Sequence, residues 1–305
     1  MKTNIIIDTD PGIDDAVAIV TSFFAPSIDI KLICSTAGNL GIDITTRNVL
    51  HLCELYGQNI PVAKGLPGPL MRPLEEAFGY HGIMGFGSYT YDGVKTKEID
   101  LPAYEAMHYA VRLNPGISIL VIGPLTNVAK FLQTYPEDIK YIKQLVFMGG
   151  TKDNVLEQDE PYPEFNISRD PEACQIVLDS GANIVIIPMD FGHYAYINRE
   201  EIKKLKSVNK TGRLFYEMYK EYKDGHVSAE NAATHDSCAV SYLIEPSLFK
   251  TEYVQPEIKY YNGKGVLVSN IVNHPTNFKL AVDMDEDSFK NLYHGLISVA
   301  KQVNE

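Results

Sequence analysis

No run of lysine and arginine occurs anywhere in these 305 residues, and the formal net charge is −12. A nucleic-acid partner is therefore disfavoured, because binding phosphates requires positive charge concentrated in one place. Long apolar runs are missing too. None approaches the ~20 residues needed to cross a bilayer, and the apolar stretch before Asp8 is too short for the core of a signal peptide, so no membrane association is expected. The four cysteines, Cys34, Cys53, Cys174 and Cys238, form no CxxC pair and lie in apolar segments. That disfavours zinc and dithiol chemistry and suits small core residues in a reducing, cytoplasmic compartment. With no Ser/Gly/Pro linker, repeat or low-complexity tract, residues 1–305 read as a single domain.

Hydrophobic residues make up 45% of the chain and charged ones 22%, enough for a sizeable core. Strand-like runs at Asn4–Thr9, Ile30–Ser35, Ile117–Ile122, Gln144–Met148 and Asn183–Pro188 alternate with helix-like segments. Those segments are Asp14–Phe24, Asp43–Tyr56, Leu101–Leu113, Thr126–Thr134 and Asp170–Ser180. The alternation predicts an α/β fold with a mainly parallel, doubly wound, Rossmann-like sheet. After Asp190 the pattern becomes helix-rich, at Arg199–Lys206, Thr211–Lys223 and Ala233–Ile244, followed by an Asn262-Gly263 hairpin turn and a terminal helix from about Asp285. The additional helices and the hairpin are expected over the carboxyl edge of the sheet.

The first strand-like run ends in four carboxylates, Asp8, Asp10, Asp14 and Asp15, within eight positions. Like charges so close raise one another's pKa, and a cation relieves the repulsion. Oxygen donors with no Cys or His nearby favour Ca²⁺ or Mg²⁺. A strand, a Pro11-Gly12 turn and a helix opening at Asp14-Asp15 would set these ligands at the carboxyl end of the sheet. The alternative is that Asp14 or Asp15 only caps the helix.

Other candidate pieces fall on the same edge. Asn39 follows the second strand, and Gly123-Pro124-Leu125-Thr126-Asn127 follows a later one, where an exposed carbonyl could join carboxylates around calcium or Thr126 could simply cap a helix. Glu164 and Asn166 flank an aromatic at the end of a long polar loop and can hydrogen-bond sugar hydroxyls. His235-Asp236 opens an apolar helix: Asp236 could cap it or complete a metal shell, with His235 as an acid. His81 sits in a glycine-punctuated loop. Tyr216, Tyr219 and Tyr222, three residues apart, could stack on a planar ligand or belong to a core.

Taken in order, IIIDTDPGIDDAVAI from residue 5, AGN at 37–39, HGIMGF at 81–86, GPLTNVA at 123–129, MGG at 148–150, EFNISRDPEA at 164–173 and HDSCAVSYLI at 235–244 resemble the nucleoside hydrolase family of the inosine–uridine-preferring type. The resemblance implies a calcium-dependent N-ribosyl hydrolase, with Asp10, Asp15, Asp236 and the Thr126 carbonyl as calcium ligands and Asp10 as general base. It further implies that Asp14, Asn39, Glu164 and Asn166 hold ribose hydroxyls, that His81 and His235 face the base with His235 as proton donor, and that Asn154 contacts the 5′-hydroxyl. A homodimer or homotetramer acting on a small ribonucleoside is expected. Ser237 stands where the family usually has proline, and the loop from Gly149 to Glu164 is longer than usual. Two other classes fit parts of the chain: a phosphohydrolase using Asp8-Thr9-Asp10, and a non-catalytic calcium-dependent nucleoside binder.

Overall fold

The computed structural model describes residues 2–153, 161–193, 195–222 and 231–292. In chain order the first half runs β1 (Thr3–Thr9), α1 (Ile13–Phe24), β2 (Ile28–Ser35), α2 (Ile42–Leu55), β3 (Val62–Lys64), α3 (Phe78–His81), α4 (Ala103–Leu113), β4 (Ile117–Val121), α5 (Thr126–Thr134) and β5 (Ile142–Met148). The second half continues with α6 (Phe165–Arg169), α7 (Pro171–Leu178), β6 (Ile184–Ile187), β7 (Tyr196–Asn198), α8 (Arg199–Leu205), α9 (Lys210–Tyr219), β8 (Asn231–Ala233), α10 (His235–Ile244), β9 (Phe249–Tyr261), β10 (Lys264–Ile271) and β11 (Phe278–Met284).

Nine strands form one sheet in the order β10-β9-β11-β6-β5-β4-β1-β2-β3. From β3 across to β11 every pairing is parallel, as the strand and helix alternation predicts. Helices cover both faces, so β1 is apolar on each side: Ile5 and Ile7 join α1, α2 and α10 in one core, while Ile6 joins α4, α5 and α7 in the other. All four cysteines are buried free thiols. The chain leaves β1 toward β2 on one side and later returns to place β4 on the other. β1 and β4 therefore mark the switch point, outside whose carboxyl ends such sheets bind ligands.

The Asn262-Gly263 turn forms where expected, with both residues at positive φ (50° and 78°) between the paired Tyr261 and Lys264. Its two strands do not lie over the carboxyl edge, however. They extend the sheet itself, β9 running antiparallel to β11 and β10 to β9. The reason is backbone pairing: β11 adds in parallel to β6, and its free edge would otherwise present unpaired amides and carbonyls. Helix α9 ends at Tyr219, short of the expected Lys223, and residues 223–230 lie outside the described residues. Residues 286–292 are helical, matching the terminal helix expected from about Asp285. Among the described residues, no helix is long and apolar enough to cross a membrane.

Candidate active site

β1 ends at Thr9, the chain turns through Asp10, Pro11 and Gly12, and α1 begins at Ile13. Asp15, in the first turn of α1, accepts the Gly12 N–H at 3.1 Å, the Thr9 hydroxyl at 2.6 Å and the Asn39 side-chain amide at 3.1 Å. It therefore complements the helix end, as the capping alternative requires, and still faces the cavity. Asp10 Oδ2 accepts the backbone N–H of Asn39 at 2.6 Å. The loops after β2 and β4 close tightly around that carboxylate. A Cβ added to Gly38 would stand 2.1 Å from Asp10 Oδ2, and one on Gly123 would stand 2.5 Å from Oδ1.

Asp236 arrives from α10, more than 200 positions along the chain, and with Asp14 and Asp15 offers oxygens all within 4.8 Å of one another. Asp10 lies outside that trio but close enough for Asp14 and Asp15 to repel its charge. Burial, reinforced by these neighbours, holds the carboxyls of Asp10 and Asp236 well above the usual range, and burial also raises Asp15. Among the described residues lining the cavity there is no lysine or arginine. A hard cation with oxygen ligands fits this donor set, since it relieves the repulsion that crowding creates while leaving the carboxylates ionised. Thr126 opens α5, buried, with its hydroxyl given to Asp170 at 2.7 Å.

The cavity, of about 150 Å³, is lined in part by Asp14, Asp15 and Asp236 of this cluster. Glu164 caps α6 and accepts N–H groups from Gly150, Asn166 and Ile167, so its carboxylate is fixed against the wall. The Asn166 amide donates to the Met148 carbonyl at 3.1 Å, across the end of β5. His81 Nδ1 accepts the Ile13 N–H at 3.2 Å, and burial lowers the ring's pKa to about 4. A neutral His81 therefore carries its proton on Nε2. Its ring lies 5.8 Å from that of Tyr222, which also lines the cavity. His235 Nδ1 lies 3.0 Å from the Met189 carbonyl, which can only accept, so Nδ1 is the protonated nitrogen of the neutral ring.

Nine of the residues expected from the sequence, Asp14, Asp15, Asn39, His81, Glu164, Asn166, Tyr222, His235 and Asp236, are buried and line one cavity, and Asp10 is buried beside its acidic cluster without lining it. Asn154 lies outside the described residues. Of the three spaced tyrosines only Tyr222 lines the cavity, Tyr219 being fully buried and Tyr216 packing against the core. Tyr80, Tyr162, Phe165 and Met189 also line the cavity although the sequence did not single them out as ligand contacts. The position of Tyr80 next to His81, and of Tyr162 two residues before Glu164, is the signal that was available. Asp8 and Asp10 are both buried and absent from the lining, but they differ in surroundings: Asp8 Oδ1 accepts the Asn127 amide at 2.8 Å, whereas Asp10 lies close enough to feel the charges of Asp14 and Asp15.

The model of the inosine-uridine preferring nucleoside hydrolase family matches residues 5–291. The chain belongs to this family. It is 34% identical over 306 residues to the non-specific ribonucleoside hydrolase RihC of Shigella sonnei, covering 98% of this chain and 100% of the relative. RihC of Salmonella newport is 36% identical over 295 residues, covering 94% and 95%. Among solved structures, the plant nucleoside hydrolase PpNRh1 superposes with a TM-score of 0.87 at 30% identity, covering 99% of this chain and 100% of its own. The purine-preferring ribonucleoside hydrolase from Gardnerella vaginalis gives 0.89 at 26%, covering 98% and 99%. This nucleoside hydrolase is an enzyme that splits ribonucleosides into free base and ribose. Family members are metal-dependent, in keeping with the acidic cluster at the carboxyl ends of β1 and β4.

Proposed function

We propose that the enzyme is a calcium-dependent hydrolase of purine and pyrimidine ribonucleosides, with Asp10, Asp15, Asp236 and the Thr126 carbonyl as calcium ligands. The observation that carries this reading is the convergence of Asp14, Asp15 and Asp236 within 4.8 Å, with no basic side chain on the described lining to neutralise them. Calcium at this site supplies positive charge to the carboxylates, acidifies a coordinated water and grips vicinal hydroxyls. Asp14, Asn39, Glu164 and Asn166 hold the ribose hydroxyls, and Asn154 is assigned to the 5′-hydroxyl. Asp10 takes the proton from the attacking water, its buried, repelled carboxylate being a stronger base than a solvated one. As the glycosidic bond breaks, positive charge develops on the ribose, and the surrounding carboxylates favour it.

His235 serves the departing base. Because Nδ1 donates to the Met189 carbonyl, the ring can deliver a proton from Nε2 only as the imidazolium. Glu164 lies near enough for its charge to favour that cation. His81, neutral with hydrogen on Nε2, is a donor, and Tyr222 provides a ring face. A Cβ on Gly192 would stand 2.1 Å from His235 Cε1. Gly192→Ala is therefore expected to displace the imidazole and lower kcat by about 10²-fold with a smaller change in KM, since a misplacement near 1 Å has that effect. Steady-state kinetics on inosine and uridine check it.

A broad base range is supported by the relatives' name, non-specific ribonucleoside hydrolase. A cytoplasmic location suits the four free thiols. A homodimer or homotetramer would cover exposed apolar residues such as Met71, Leu113 and Ile271. The decisive experiment is a steady-state panel of purine and pyrimidine nucleosides with and without calcium, read as ribose release. The corresponding 2′-deoxyribonucleosides are expected to have kcat/KM lower by about 10³-fold or more, because a missing hydroxyl leaves buried polar groups unpaired. Equal rates for ribose and deoxyribose substrates would refute the diol reading.

A further inference from the structure

The first turn of α5 is gripped from two sides by carboxylates that do not line the cavity. On one side Asp170 Oδ2 accepts both the Thr126 hydroxyl at 2.7 Å and the Leu70 N–H at 2.9 Å, while Oδ1 accepts the Ala173 N–H at 3.0 Å. On the other, Asp8 Oδ1 accepts the Asn127 amide at 2.8 Å. That amide also donates to the Ser35 carbonyl at 2.9 Å, and Asn127 Oδ1 accepts the Leu66 N–H at 2.9 Å. Asp8, Asn127 and Asp170 are wholly shielded from solvent, and Thr126 nearly so.

Capping α7 explains only part of this. The cap uses one oxygen of Asp170, and serine would supply it as well. Burying a second charged oxygen is costly unless it has its own partners, and those partners are on α5 and on the segment after β3. We propose that Asp170 is a positioning residue for the cation site: by fixing the Thr126 hydroxyl it holds in place the peptide whose carbonyl would serve as a calcium ligand, with Asp8 and Asn127 locking the adjoining residue. The proposal rests on the assignment of the Thr126 carbonyl as a ligand. Residues of this kind, which hold a ligand without touching the metal, typically change affinity 10–100-fold when lost.

The test is calorimetric titration of EGTA-stripped, full-length protein with CaCl₂, for the wild type, Thr126→Val, Asp170→Ser and the double variant. Serine keeps the α7 cap but is too short to reach Thr126. Valine keeps the backbone carbonyl and removes only the hydroxyl. Each single variant is expected to weaken calcium about tenfold, and the double variant is expected to be no weaker than Asp170→Ser, because both changes break one shared contact. Unchanged calcium affinity in folded single variants, or losses that multiply in the double variant, would overturn the positioning role. A wild type that binds no calcium would instead overturn the calcium reading on which it rests. If Asp170→Ser does not fold, Thr126→Val decides alone, since it leaves α7 untouched.

Discussion

Asp10→Asn is expected to lower the turnover of inosine or uridine by roughly 10²–10⁴-fold, the usual contribution of a general base, while nucleoside affinity at saturating calcium changes far less. Asparagine is the informative replacement because it preserves the fit. Its Oδ1 can still accept the Asn39 N–H that Asp10 accepts at 2.6 Å, and its size suits the gap between Gly38 and Gly123. Only charge and basicity are lost. Single-turnover ribose release, with nucleoside binding measured separately by calorimetry, distinguishes loss of chemistry from loss of binding. Wild-type turnover in this variant would show that another group takes the proton.

Calcium removal is expected to have the next largest effect, and pH should change its size in a definite direction. In the metal-free protein, burial and repulsion from neighbouring acids raise Asp10 and Asp236, burial raises Asp15, and it also raises Asp8 to about 7 and lifts Glu164 and Asp170. A carboxyl whose folded pKa lies above its unfolded value makes the native state bind more protons than the unfolded state across that interval. Stability of the metal-free enzyme therefore falls as pH rises from about 4, the ordinary carboxyl range, through the raised native values. Calcium binds the deprotonated cluster, so its benefit grows over the same interval. With calcium at a thousand times its Kd the added stability is about 4 kcal/mol. Thermal melts in EGTA should thus decline in Tm from pH 5 to pH 8, and the increment on adding calcium should widen. A calcium-induced shift that shrinks with rising pH would contradict the acidic cation site.

Much of this was legible because the signals are local. Short apolar runs gave β1, β2, β4, β5 and β6, and the helical periodicity gave α1, α2, α4, α5, α7 and α10 with boundaries shifted by only a few residues. The carboxylates of β1 and α1 are legible for the same reason, since four acids in eight positions demand an explanation wherever the chain goes. β3, β7 and β8, three residues each, are too short to show a period and exist by pairing with neighbours. The hairpin turn was visible in Asn262-Gly263, but its destination depended on the edge of β11, a tertiary fact. Likewise the protonated nitrogen of His235 is set by a carbonyl 46 positions away, and Asp170 looks from the sequence like a helix cap and nothing more. Tyr80 and Tyr162 belong to the cavity only because two long loops meet there.

That no lysine or arginine stands among the described residues lining the cavity has a further consequence for the choice of substrate. Asp10, Asp14, Asp15, Asp236 and Glu164 together outweigh one divalent cation and a protonated His235, so the loaded site keeps a negative potential. A 5′-phosphate, itself doubly charged near neutrality, would meet repulsion with no guanidinium or ammonium on the described lining to receive it. Nucleoside 5′-monophosphates are therefore expected to be poorer substrates than the nucleosides, a selectivity achieved by omission rather than by a dedicated recognition group, and comparing base release from the two checks it.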